Sequence, residues 1–135
     1  MRNFSAEPYI SGFDGLTDIQ REFSGYNSEP AIQPEDLKNV LFAVYATPSN
    51  EGYAEIYFMR PGECGHTLWS VVGSHCSCYG LVGQWDPVET CVDAVLKRKP
   101  IGLSDWSNEE KAMFQEFKEW LEHSRPLFEG EEDAE

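Results

Sequence analysis

Three runs decide the fold: Val40-Leu-Phe-Ala-Val-Tyr-Ala46, Tyr53-Ala-Glu-Ile-Tyr-Phe-Met-Arg60 and His66-Thr-Leu-Trp-Ser-Val-Val72. Each is rich in apolar, β-branched and aromatic residues, and each reads with a period of two. Ala54, Ile56 and Phe58 fall on one face of the second run. Leu68, Ser70 and Val72 fall on one face of the third, with Trp69 and Val71 on the other. The turn clusters Pro48-Ser-Asn-Glu-Gly52 and Pro61-Gly-Glu-Cys-Gly65 separate the runs. Connections this short predict a three-stranded antiparallel meander.

The period then changes to that of a helix. Asp86 reads as an N-cap with Pro87 at the first helical position, and Val88, Cys91, Val92, Val95 and Leu96 form a narrow apolar stripe. Lys97-Arg98-Lys99 suits the negative end of the helix dipole, and Pro100 stops the helix. Further on, Ser107-Asn-Glu-Glu110 is a capping box, followed by the stripe Met113, Phe114, Phe117, Trp120 and Leu121. The expected fold is therefore α+β, a three-stranded meander packed against two C-terminal helices. Pro34–Lys38 reads as a helical turn or an approach loop. Residues 1–33 read as an irregular N-terminal arm holding a short helix near 14–23, with Leu16, Ile19 and Phe23 on one side. Phe4, Tyr9, Phe13 and Tyr26 in that arm call for burial. One domain is expected over 1–128, followed by a disordered acidic tail over 129–135.

The 135 residues carry 24 acids against 10 bases, a net charge of −14. Residues 105–135 alone hold 11 acids and three bases. Such a chain has no electrostatic attraction for nucleic acid phosphates or anionic membranes, and favours basic protein surfaces. An acidic face of this kind can also compete with nucleic acid for a basic groove, as a DNA mimic does. No apolar run approaches the roughly 18 residues of a membrane span. The N-terminus lacks the apolar core of a signal peptide, so a cytoplasmic location and reduced cysteines are expected.

The most reactive composition lies in Gly73-Ser-His-Cys-Ser-Cys-Tyr-Gly80, continuing to Gln84-Trp-Asp-Pro87. His75, Cys76, Cys78 and Cys64 are candidate zinc ligands, with His66 and Cys91 as reserves. Cys76-Ser-Cys78 leaves one residue between the thiols, against the two to four of a zinc knuckle, so no cofactor is expected. Cys76 or Cys78 is also a candidate nucleophile with His75 or His66 as base, but no family-specific spacing surrounds them. The structural alternative is a rigid corner in which buried cysteines act as small hydrophobes. A recognition loop fits the same segment, with Ser74, His75, Tyr79, Gln84 and Trp85 as contacts. Glu109, Glu110, Glu116 and Glu119 on the second helix offer an acidic contact face, whose simplest reading is a solvated surface. The chain has no phosphate-binding glycine loop, dinucleotide fingerprint, nucleophile elbow or zincin motif.

The run Gly73-Ser-His-Cys-Ser-Cys-Tyr-Gly-Leu81, then Gly83-Gln-Trp-Asp-Pro87, resembles a segment of small uncharacterised phage and bacterial proteins. The likeness spans about residues 38–98, and this chain departs from it at Val82, where those proteins carry Glu. The resemblance implies no catalytic activity. It implies a phage or mobile-element setting, where small acidic proteins bind and block a host protein. The expectation is a non-enzymatic inhibitor of a host defence or nucleic-acid-processing protein, in the manner of an anti-CRISPR. A zinc- or cysteine-dependent activity, or the sequestering of a small ligand, is the alternative.

Overall fold

A computed structural model describes residues 8–25, 32–47, 51–76, 80–100, 103 and 106–128. Among these, five strands form one mixed sheet: β1 (Tyr9–Ser11), β2 (Val40–Ala46), β3 (Gly52–Pro61), β4 (His66–His75) and β5 (Val88–Thr90). They lie side by side in chain order. β1 runs parallel to β2, and the other neighbours are antiparallel. Four helices accompany them: α1 (Leu16–Ser24), α2 (Pro34–Lys38), α3 (Val92–Leu96) and α4 (Asn108–His123).

The central meander stands where the alternating runs place it, but the expected three-stranded sheet with two C-terminal helices is wrong. The arm supplies β1 and α1, and the segment after Asp86 opens as a strand. The reason for β5 lies in β4. Ten residues long, β4 would otherwise present a row of unpaired N–H and C=O groups along its outer edge. Val88, Glu89 and Thr90 pair with Ser70, Trp69 and Leu68 instead. The helix starts only after Cys91, whose φ of −142° and ψ of 165° are extended. Val88 is accordingly 59% exposed and outside the apolar stripe.

Both faces of the sheet are covered. On one face Phe42, Val44, Tyr57, Met59 and Leu68 meet Val92 and Val95 of α3 and Phe114, Phe117, Trp120 and Leu121 of α4. Phe42 stacks on Phe117 with centroids 5.1 Å apart. Truncating either ring would cost about 3–5 kcal/mol. On the other face Ala43, Ala54, Ile56, Phe58 and Val71 pack under Ile19 and Phe23 of α1 and under Leu81. A bulge between Val40 and Phe42 turns Val40 toward the α1 side, out of strict alternation with Phe42 and Val44.

The capping box at the start of α4 is present: the Ser107 side chain accepts from Glu110 N–H, and the Glu110 side chain accepts from Ser107 N–H. Among the described residues no helix is long and apolar enough to cross a membrane. Phe4, Tyr26, Cys78, Tyr79 and the tail 129–135 lie outside the described residues.

Candidate functional site

Two regions hold the residues singled out by the sequence. The first is the far end of β4. Gly73, Ser74 and His75 are the last residues of the strand, so the reactive segment begins as sheet and not as loop. Gly73 serves close packing: a Cβ there would stand 3.0 Å from Leu81 Cδ2 and 3.3 Å from Gln84 Oε1. Gln84 completes the strand edge with its side chain. Its Oε1 accepts from Ser74 N–H at 2.8 Å, and its Nε2 donates to the Ser74 carbonyl at 2.8 Å and the Gly80 carbonyl at 3.2 Å. Trp85 stacks on Phe58 at 5.6 Å and meets Phe23 edge-on at 5.2 Å. Gln84 and Trp85 thus anchor the corner, and Ser74 offers only its exposed side chain for contact.

His75 is bound at both ring nitrogens. Nδ1 lies 2.6 Å from the Cys76 carbonyl and Nε2 lies 2.5 Å from the Tyr45 hydroxyl. A carbonyl only accepts, so Nδ1 carries the proton. In the neutral ring this leaves Nε2 as the bare nitrogen, which accepts from Tyr45. Burial, helped by the negative charge of Glu22, raises the Tyr45 pKa and keeps the phenol a donor. Phe13 stacks on the Tyr45 ring at 5.3 Å. The bridge spans β3 at Gly52, where a Cβ would stand 2.2 Å from His75 Nε2.

Among the described residues this geometry does not bring the zinc or nucleophile candidates together, and Cys78 lies outside them. The His75 lone pair is engaged by Tyr45 and cannot serve as a base for Cys76 in the same arrangement. Cys64 and His66 belong to the opposite end of β4, about 30 Å away at 3.3 Å per residue. Cys91 follows Thr90, which pairs with Leu68, so it sits toward that distant end as well. Among the described residues no three of His, Cys, Asp and Glu are placed to hold one metal ion.

The second region is α4. Glu110 is committed to structure, because Ser11 Oγ donates to its Oε2 at 2.8 Å and Ser107 N–H donates to its Oε1 at 3.0 Å. Glu109, Glu116 and Glu119 are exposed. At spacings of seven and three they share one side of the helix, opposite Phe114, Phe117 and Leu121. Glu122 is also exposed but donates its charge inward: Arg125 Nη2 reaches its Oε2 at 2.8 Å and Asp93 Oδ1 of α3 at 2.5 Å. The guanidinium holds the Asp93 carboxyl below the usual carboxylate range.

Tyr45, Gly52, Asp93 and Arg125 escaped the sequence reading. Their partners lie 30 or more residues away or across a strand, and only the register brings them together. No protein family, no curated protein and no solved structure matches the chain.

Proposed function

We propose that this protein is a non-enzymatic binder that blocks a host protein, a defence or nucleic-acid-processing component, by docking on its basic surface. The observation that carries the reading is the side of α4 bearing Glu109, Glu116 and Glu119. The helix is pinned to the sheet by Phe114, Phe117, Trp120 and Leu121, so the carboxylates are presented on a rigid element. The setting in a phage or mobile element rests on the resemblance of residues 73–87 alone.

Magnitudes decide what such a face does. An exposed ion pair contributes about 0–1 kcal/mol, so three glutamates add little to affinity by themselves. A net charge of −14 acts at longer range and accelerates encounter with a basic partner. The reading therefore requires association that slows as salt rises, because charges are screened beyond about 8 Å at physiological ionic strength. Ser74 and the exposed rim of the Gln84–Trp85 corner supply contacts of another kind.

The test is capture from host lysate on the immobilised protein at low and high salt, followed by association kinetics with the captured partner. Reversing Glu109, Glu116 and Glu119 to Lys together slows association at least about tenfold at low salt if the reading holds. Unchanged kinetics and affinity after this triple reversal would overturn it.

A further inference from the structure

Where β1 passes into α1 the chain forms an open groove of about 480 Å³. That volume falls within the roughly 300–1,000 Å³ of small-molecule sites. Among the described residues, Pro8, Ile10, Phe13, Asp14, Gly15 and Leu16 line it. The apolar walls are held from behind. Phe13 is 7% exposed and stacks on Tyr45 with centroids 5.3 Å apart. Ile10 and Leu16 are half-buried against the cluster that holds Ile19 and Phe23, on the side of the sheet away from α4. One ionised group lines the groove. Asp14 is exposed, its N–H donates to Asp18 Oδ2 at 2.9 Å, and no described residue bonds its carboxylate. No Lys, Arg or His stands among the described lining residues, and Arg21 of the same helix is paired with Asp18. The first turn of α1 brings the positive end of a helix dipole, which the Asp18 carboxylate in that turn offsets. The net charge of −14 further favours a positive ligand in a cleft with apolar walls.

We propose that this groove binds a small organic amine, an aromatic or branched alkyl body that carries one ammonium group. The body would lie on Ile10, Phe13 and Leu16, and the ammonium would meet Asp14. A neutral analogue keeps only the apolar contacts, and a carboxylate on the same body meets Asp14 as a like charge. The groove and α4 lie on opposite sides of the sheet, so the inference goes beyond the proposed contact face and does not depend on it.

The test is an NMR titration of the full chain at neutral pH and low salt with three probes of one shape: phenethylamine, phenethyl alcohol and 3-phenylpropanoate. Saturable shifts of the Ile10 and Leu16 methyls are expected, with the amine binding most tightly and the carboxylate least. Asp14→Asn should weaken the amine about threefold and leave the alcohol unchanged. Asp14 is exposed, so this variant leaves the fold intact. Equal affinity for all three probes, or tighter binding of the carboxylate, would overturn the assignment of an amine. Ile10 and Leu16 methyls unmoved by every probe would overturn the site itself. The charge-reversal kinetics judge the α4 face independently.

Discussion

The Tyr45 hydroxyl and His75 Nε2 meet 2.5 Å apart above Gly52, so β2 and β4 are tied together across the strand that separates them. The tie exists because position 52 has no side chain. It also fixes the tautomer of His75 and holds the last residue of β4 before the corner closed by Gln84 and Trp85.

Gly52→Ala tests the tie directly. The added Cβ would stand 2.2 Å from His75 Nε2 and 2.8 Å from Tyr45 Cε1, so the imidazole must swing aside and the hydrogen bond breaks. A loss of about 1–3 kcal/mol is expected from overpacking and the lost bond. Tyr45→Phe, which removes the bond alone, should lose about 1 kcal/mol. Urea denaturation of both variants checks this, and a neutral Gly52→Ala would contradict the geometry.

Arg98 is the counter-ion of a buried acid. Glu55 is 2% exposed on the α4-facing side of β3, and Arg98 reaches it with Nη2 at 3.1 Å. The Tyr57 hydroxyl donates to the same carboxylate at 2.5 Å. Arg98→Ala leaves Glu55 buried with its charge uncompensated, which in a fully buried pair costs 3–5 kcal/mol. The Arg98 side chain is 35% exposed, so solvent screening reduces the expected loss to about 2–3 kcal/mol. Glu55→Gln combined with Arg98→Met should recover much of it. Thermal denaturation of the single and double variants separates the two outcomes.

Tyr57 gives the fold an alkaline limit. Burial, reinforced by the Glu55 charge, raises its pKa far above that of a free tyrosine. Its contribution is complete below the unfolded pKa of about 10, and it is lost as pH rises above that value, where the unfolded chain releases the proton first. The slope approaches about 1.4 kcal/mol per pH unit for this one group. Tyr57→Phe should be less stable at neutral pH and flatter between about pH 10 and 12 in denaturant titrations. An unchanged slope would mean that Tyr57 ionises normally in the folded chain.

What the sequence made legible follows from local physics. The runs of β2, β3 and β4 announced themselves by alternation, and α4 by its capping box and five-residue stripe. Ile19 and Phe23, read as one side of a short helix, are fully buried in α1. β1 and β5 were hidden for one reason: each has three residues, too few for any period to show. β5 was further masked by Asp86-Pro87, a good helix start that competes with edge pairing and loses to the open edge of β4. At the candidate site, Gln84 and Trp85 read as contacts of a recognition loop, yet Gln84 is bonded to Ser74 and Gly80 and Trp85 is stacked on Phe58. Glu110 read as part of an acidic face, yet its carboxylate is spent on Ser11 and Ser107, and nothing near Glu110 in the chain signals a partner 99 residues away.

That bond between Ser11 and Glu110 bears on how the chain assembles. β2, β3 and β4 are joined by short connections and can zip together through local contacts. β1 pairs with β2 only after the intervening segment has folded back, and α4 must close a loop of 99 residues to reach β1. Closure entropy grows only slowly with loop length, but such contacts form late and slow the search. Sequence separation thus favours nucleation in the meander, with the docking of α4 following it. Changes in the α4 aromatics would chiefly hasten unfolding, whereas changes in β2 to β4 would retard folding. On that order, the acidic helix proposed as the working surface would be the element whose hold on the sheet governs how fast the native state opens.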